Sequence, residues 1–292
     1  MRRDHESVRR EFVERTLQRA GESEQRLFWP AEERQAFANH QLADLLEFAS
    51  ERSPWHQSRL VGVELADVSV LDMSALPTMN KRDLHEHWDE ICTDPALTYD
   101  VANHHLERLS TEGFSFALDR YVIFATGGST GLRSVIAADA EAMGSYMASL
   151  VSRARNGRPA GLKVPATPVQ ARLAAQSPIH ISAAISAVMN QATGIFVTVA
   201  PSTPIEEAVA RLNEAQPFSL AGYGSMLHIM ALEQLAGRLR IEPMSATNMG
   251  EPLMPETAAV CQDAFGIGLQ NQYGASECPL GVSWRDSTLL HL

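Results

Sequence analysis

The spacing of apolar positions changes partway along the chain. Before residue 110 it is helical. Phe37, Leu42, Leu45, Leu46 and Ala49 fall on one face between charged residues, which predicts an amphipathic helix whose apolar face packs on a neighbour. Ser53-Pro54-Trp55 ends that helix, because the residue before a proline is pushed out of the α region. Leu76-Pro77-Thr78-Met79-Asn80-Lys81 reads as a turn into another helix, with Thr78 or Asn80 as N-cap.

From Tyr121 onward, short apolar runs alternate with helical stripes. A strand over Tyr121 to Ala125 precedes a helix around Ala138 to Ala154, marked by Met143, Tyr146, Met147, Leu150 and Val151. The strand Ile195 to Val199 precedes a helix from Pro204 to Ala215. Phe218 to Ala221 precedes Ser225 to Ala236, and a short strand near Ala246 precedes Pro255 to Phe265. The expected fold class is therefore α/β: a mainly helical region over 1–110 packed on an α/β core over 111–292, whose largely parallel sheet has helices on both faces. Such sheets bind ligands in loops beyond the strand carboxyl ends.

The uncharged stretch from Pro178 to Ile205 has the length of a membrane span. Ser182, Ser186, Asn190, Gln191, Thr193 and Gly194 interrupt it, so it reads as a small-residue helix, a turn and a strand. No membrane partner is expected. A net charge of -11 argues against nucleic acid. Three scattered cysteines, Cys92, Cys261 and Cys278, give neither a CxxC pair nor a disulfide framework, and the charged N-terminus lacks a signal-peptide core, so a cytoplasmic location is expected.

Three segments carry candidate chemistry, each at the end of an expected strand. Thr126-Gly127-Gly128-Ser129-Thr130-Gly131 combines glycines, which let backbone amides turn inward, with hydroxyl donors, a composition that can wrap phosphate. Gly250-Glu251-Pro252-Leu253 and Asn271-Gln272-Tyr273-Gly274-Ala275-Ser276-Glu277 follow far downstream. The first loop also satisfies G-x-S-x-G, the elbow that presents a nucleophilic serine in α/β-hydrolases. Ser129 would then need Asp263 or Asp286 and His291. That elbow requires a helix at once, whereas Leu132-Arg133-Ser134-Val135-Ile136 looks extended, suggesting a hairpin or loop instead. A Walker site is excluded, since no lysine follows the last glycine.

Together these segments resemble the adenylate-forming superfamily of acyl-CoA synthetases. Leu76-Pro77-Thr78-Met79-Asn80-Lys81, Gly222-Tyr223-Gly224-Ser225-Met226-Leu227 and Gly250-Glu251-Pro252-Leu253 are similar to its phenylacetate-CoA ligase-like branch, which includes coenzyme F390 synthetase relatives. The resemblance implies the N-terminal domain of that fold and activation of a small carboxylic acid, aromatic by analogy, by ATP with CoA as co-substrate. Residue by residue, it implies that Thr126, Gly127, Gly128, Ser129, Thr130 and Gly131 hold the β- and γ-phosphates, with Thr130 among the catalytic groups. Gly250, Glu251, Pro252 and Asn271 border the nucleotide, and Tyr273 stacks on adenine beside Gly274. Ser276 meets the α-phosphate, Glu277 holds Mg²⁺, and His180, Tyr223 and Gly224 line the acid pocket.

The sequence departs from the family in two places. Arg133 and Ser134 stand where proline and lysine are usual, so Arg133 takes over the lysine contact to phosphate or that contact is lost. The chain reaches Leu292 soon after the glutamate motif, so the expectation is a partial or truncated ligase lacking the lid domain and its catalytic lysine. A serine hydrolase using Ser129 and a non-catalytic nucleotide-binding module remain the alternatives. A homodimer and a metal at Cys278 with His291 are left open.

Overall fold

The computed structural model describes residues 3–127, 132–156, 163–190, 192, 194–277, 279–283 and 290–291. The helical region contains α1 (His5–Arg26), α2 (Ala31–Arg52), α3 (Pro54–Arg59), a 3-10 turn at Leu65–Asp67, α4 (Lys81–Glu86), α5 (Trp88–Ile91) and α6 (Tyr99–Glu112). Its caps follow the sequence. Ser53 is extended at the end of α2 and accepts a bond from His56 N of α3. Asn80 opens α4 in a reciprocal capping box with Asp83. The apolar face of α2 is less covered than its periodicity predicts. Leu46 is buried, while Leu45 and Phe48 are 61% and 50% exposed, because α2 packs chiefly on α3 and the 3-10 turn.

The strand β1 (Val122–Ala125) lies outside the parallel sheet and forms the hairpin that the extended stretch 132–136 suggests. It pairs antiparallel with β2 (Val135–Ala138) in a separate two-stranded sheet, not with the parallel strands. Val122 and Phe124 pack with α1, α7 (Ala140–Asn156) and α8 (Ile181–Met189), whereas Ile123 and Ala125 pack with Trp88, Leu106 and Leu109. A hairpin buried on both faces has the same unbroken apolar run as a strand inside a parallel sheet, and periodicity cannot separate them.

The main sheet contains β3 (Val169–Leu173), β4 (Ile195–Val199), β5 (Ser219–Gly222), β6 (Ser245–Met249), β7 (Leu269–Gly274), β8 (Pro279–Ser283) and β9 (Leu290–His291). Its order is β4-β3-β5-β6-β7-β8-β9, with the first five parallel and the last two antiparallel. The strand β3 was not anticipated. α9 (Ile205–Ala215), α10 (Gly224–Leu235) and α11 (Pro255–Phe265) cover one face, where Leu173, Leu212, Leu220, Leu227, Met230 and Cys261 form the largest core cluster. α8 lies against the other face near Phe196. This is the expected α/β layering. Among the described residues no helix is long and apolar enough to cross a membrane.

Candidate active site

Five parallel strands bring their carboxyl ends to one edge of the sheet. After β3 the chain enters α8 on one face, and after the adjacent β5 it enters α10 on the other. The loops diverge there and open a crevice, the place where open α/β sheets take ligands. Tyr223 lies at this point. Its hydroxyl accepts a bond from Ala175 N at 3.4 Å, and its ring packs on the next loop, at Gly250.

The loop after β6 is held from two sides. Asn248 is fully buried, and its Nδ2 donates to Glu251 O at 2.8 Å and to Asn271 Oδ1 on β7 at 2.7 Å. Glu251 turns back to α10, accepting from Ser225 N at 2.8 Å and from Ser225 Oγ at 3.0 Å. That carboxylate caps a helix from another strand's loop, where unsatisfied amides and the helix dipole favour negative charge. Gly224 opens the same helix because a Cβ there would lie 2.8 Å from Asn248 Oδ1. Glu251 is thus engaged in protein contacts, and the backbone around Gly250 is left as the exposed edge of this loop.

Tyr273, next to last in β7, has 57% of its surface exposed, at a register shift between Tyr273 and Gly274. The turn beyond it carries the partly buried Ser276 and the exposed Glu277. Tyr146 of α7 donates from its hydroxyl to Ala275 O at 3.3 Å, tying this turn to the helix that follows the β1–β2 hairpin. Among the described residues no three His, Cys, Asp or Glu side chains cluster as a metal site. One exposed carboxylate still suits Mg²⁺, which is held by one or two carboxylates plus substrate phosphates.

The β1–β2 hairpin lies beside the start of α8. Thr126 N donates to Ser134 O, and Thr126 Oγ1 accepts from Ser134 N, both at 3.0 Å, so the pair closes the neck of the glycine loop. Ala125 N donates to Ile179 O at 2.8 Å, which sets this neck beside His180, the N-cap of α8. Burial, aided by the positive charge of Arg133, holds His180 below the ordinary imidazole range and favours its neutral form. Gly127 is exposed, whereas Gly128, Ser129, Thr130 and Gly131 lie outside the described residues, as does Cys278. Residues 132–138 lead into the antiparallel β2 and not into the helix that a hydrolase elbow requires, which disfavours the hydrolase reading.

Sequence reasoning therefore named Tyr223, Gly224, Gly250, Glu251, Asn271 and Tyr273, which adjoining strands carry to one edge of the sheet. It missed Asn248, a lone amide in a short strand, and Arg172, the one charge inside β3. Asn248 is legible only as a polar residue within a short strand, and Arg172 lies in a segment that the sequence does not mark as a strand.

No protein-family model and no curated protein matches this sequence. Solved structures share its fold. 2-Hydroxyisobutyryl-CoA ligase in the postadenylation state, in complex with R3-HIB-AMP, aligns with a TM-score of 0.58 at 14% identity, over 84% of this chain and 49% of that one. The same ligase with 2-HIB-AMP and CoA, in the thioesterification state, aligns with a TM-score of 0.57 at 14% identity, over 88% and 54%. The chain thus spans about half the length of the ligase it matches. At this identity the likeness establishes a fold shared with this CoA ligase and nothing finer.

Proposed function

We propose that this chain carries the nucleotide- and acid-binding core of an enzyme that activates a carboxylic acid with ATP, giving an acyl-adenylate and pyrophosphate, for transfer to CoA. The observation that carries this reading is the pairing of a flat backbone edge at Gly250, backed by the Tyr223 ring, with the exposed Tyr273 ring near the end of the neighbouring strand. Together they offer a purine a face and an edge at low entropic cost. The shared fold with a ligase solved with acyl-AMP and CoA supports it.

In this reading Thr126 and the glycine loop grip the phosphate tail, with Ser276 at the α-phosphate and Glu277 as the Mg²⁺ ligand. Mg²⁺, when bound, neutralises charge on the departing pyrophosphate. His180, kept neutral, orients the acid without competing as a cation, and Arg133 adds positive charge beside the phosphate loop. The branch closest to phenylacetate-CoA ligases, an aromatic acid and a cytoplasmic setting belong to the same proposal.

ATP–pyrophosphate exchange with a panel of aryl and aliphatic acids tests it. Exchange that depends on acid and is lost in Glu277→Ala supports the reading, and a folded chain that binds no adenine nucleotide refutes it.

A further inference from the structure

The α8 face of the main sheet has a single charged side chain in one register row. Arg172 stands between Thr198 of β4 and Ala221 of β5, and the row continues through Thr247 and Gln270. Neighbours in register on parallel strands point to the same face. On the opposite face the next row, Leu173, Gly222 and Asn248, is buried. Arg172, Ala221 and Thr247 are only partly buried although they sit in interior strands. Solvent that reaches the middle of a sheet marks a cleft, and the small side chains of Ala221 and Thr247 leave its floor open beside the guanidinium.

α8 forms one wall of this cleft. Arg172 Nη1 donates to Ser182 O and, at 2.7 Å, to Ser186 Oγ, while the guanidinium stacks 4.8 Å from the centre of the Phe196 ring. Nε and Nη2 meet no acceptor among the described residues, and no carboxylate there pairs with the group. Protein crowds it closely enough for desolvation to push its pKa down to about 10. A cation in such a place has lost part of its hydration, which no anion among the described residues replaces. His180 caps the same helix two residues before Ser182, so the cleft opens where the acid is placed above.

We propose that Nε and Nη2 of Arg172 receive a second carboxylate of the acid, so that the substrate class is a dicarboxylic acid with its reacting end beside His180 and its distal end on the sheet face below. The planar fork of arginine matches a carboxylate with two parallel bonds, which an ammonium does not. The assignment of the reacting end rests on the adenylation reading, whereas the distal site stands on Arg172 alone.

Calorimetric titration of the full chain with matched pairs, glutarate against valerate and terephthalate against 4-methylbenzoate, tests this, with ATP binding measured separately. The expected advantage of each diacid is about ten- to a hundredfold, as for hydrogen bonds to a charged group. Arg172→Met should erase that advantage and leave monoacid and ATP binding unchanged, since an apolar side chain of similar size is tolerated at buried ionic positions. Arg172→Lys should lose most of it, and decides the matter if the methionine variant does not fold. Equal affinity within each pair, an advantage that survives both substitutions, or equal competition by chloride or inorganic phosphate overturns the proposal. A diacid advantage that depends on Arg172, in a protein that binds no ATP, supports the distal site and overturns the adenylation reading.

Discussion

The ring of Tyr223 lies against the α-carbon of Gly250: a Cβ built there would stand 2.9 Å from Tyr223 Cε1, and Gly250 itself has φ +76°. Two independent demands meet at one residue. The left-handed backbone costs an ordinary residue about 1–2 kcal/mol, and the contact leaves no room for a methyl group. Gly250→Ala should therefore destabilise the fold by at least that amount in urea titration. Combining it with Tyr223→Ala should recover the steric part and leave the backbone part, a coupling read from the double-mutant cycle.

Asn248 Nδ2 faces two oxygens, Glu251 O and Asn271 Oδ1. Asn248→Asp keeps the shape but sets a carboxylate oxygen against both in a fully buried site. A loss of about 3 kcal/mol is expected from the unmatched charge. Denaturation midpoints of this variant, compared with Asn248→Ala, check it: the aspartate should be the worse of the two.

Glu251 caps α10 across the sheet edge through Ser225. Glu251→Gln retains an acceptor and loses charge, for about 0.5–1 kcal/mol. Glu251→Ala loses both, for about 1–2 kcal/mol. Hydrogen exchange at residues 224–227 should speed up in the same order, because those amides open the helix that the carboxylate caps.

Tyr273 is exposed and lies near the end of its strand, so Tyr273→Ala should leave stability unchanged within about 0.5 kcal/mol. If its ring stacks on adenine, the variant should bind ATP about five- to a hundredfold more weakly, the range seen for aromatic–base stacking. Fluorescence titration with ATP and with inorganic triphosphate separates the two ends of the nucleotide, since only the first should respond.

His105 gives the fold a sensitivity to acid. It is buried, with Nε2 donating to Ser115 O at 3.1 Å. Burial lowers its pKa, and Arg108 and His104 push the same way against the Ser115 carbonyl and Glu112. The unfolded chain thus takes up the proton more readily than the native one. The stabilisation is complete above the unfolded imidazole value of about 6.5 and declines as pH falls through the lower native value. Urea titrations between pH 7.5 and 5 should show falling stability, with a shallower slope in His105→Gln, which keeps a donor and does not titrate.

Much of this architecture is legible in the residues. Pro255 to Phe265 reads as a helix because a proline at its start fixes the entry angle and Gly266 takes the left-handed turn at its end. Asn80 with Asp83 announces the start of α4 for the same local reason. β1 reads as a strand and the extended stretch after the glycine loop suggests a hairpin, but Val122 to Ala125, apolar at every position, fits a parallel sheet equally well. Arg172 is not legible in this way, because its strand is not marked by the sequence and a lone charge says nothing about whether a counter-charge lies opposite.

Local spacing and capping chemistry, which act over a few residues, determined the helices, the later strands and the glycine-rich segments at their ends. Pairing was decided only in three dimensions: the register of β1 on β2, that Tyr223 reaches Gly250, that Glu251 caps α10, and that a guanidinium stands in a cleft without an anion among the described residues. Those relations depend on register and burial between segments far apart in sequence, and no local propensity encodes them.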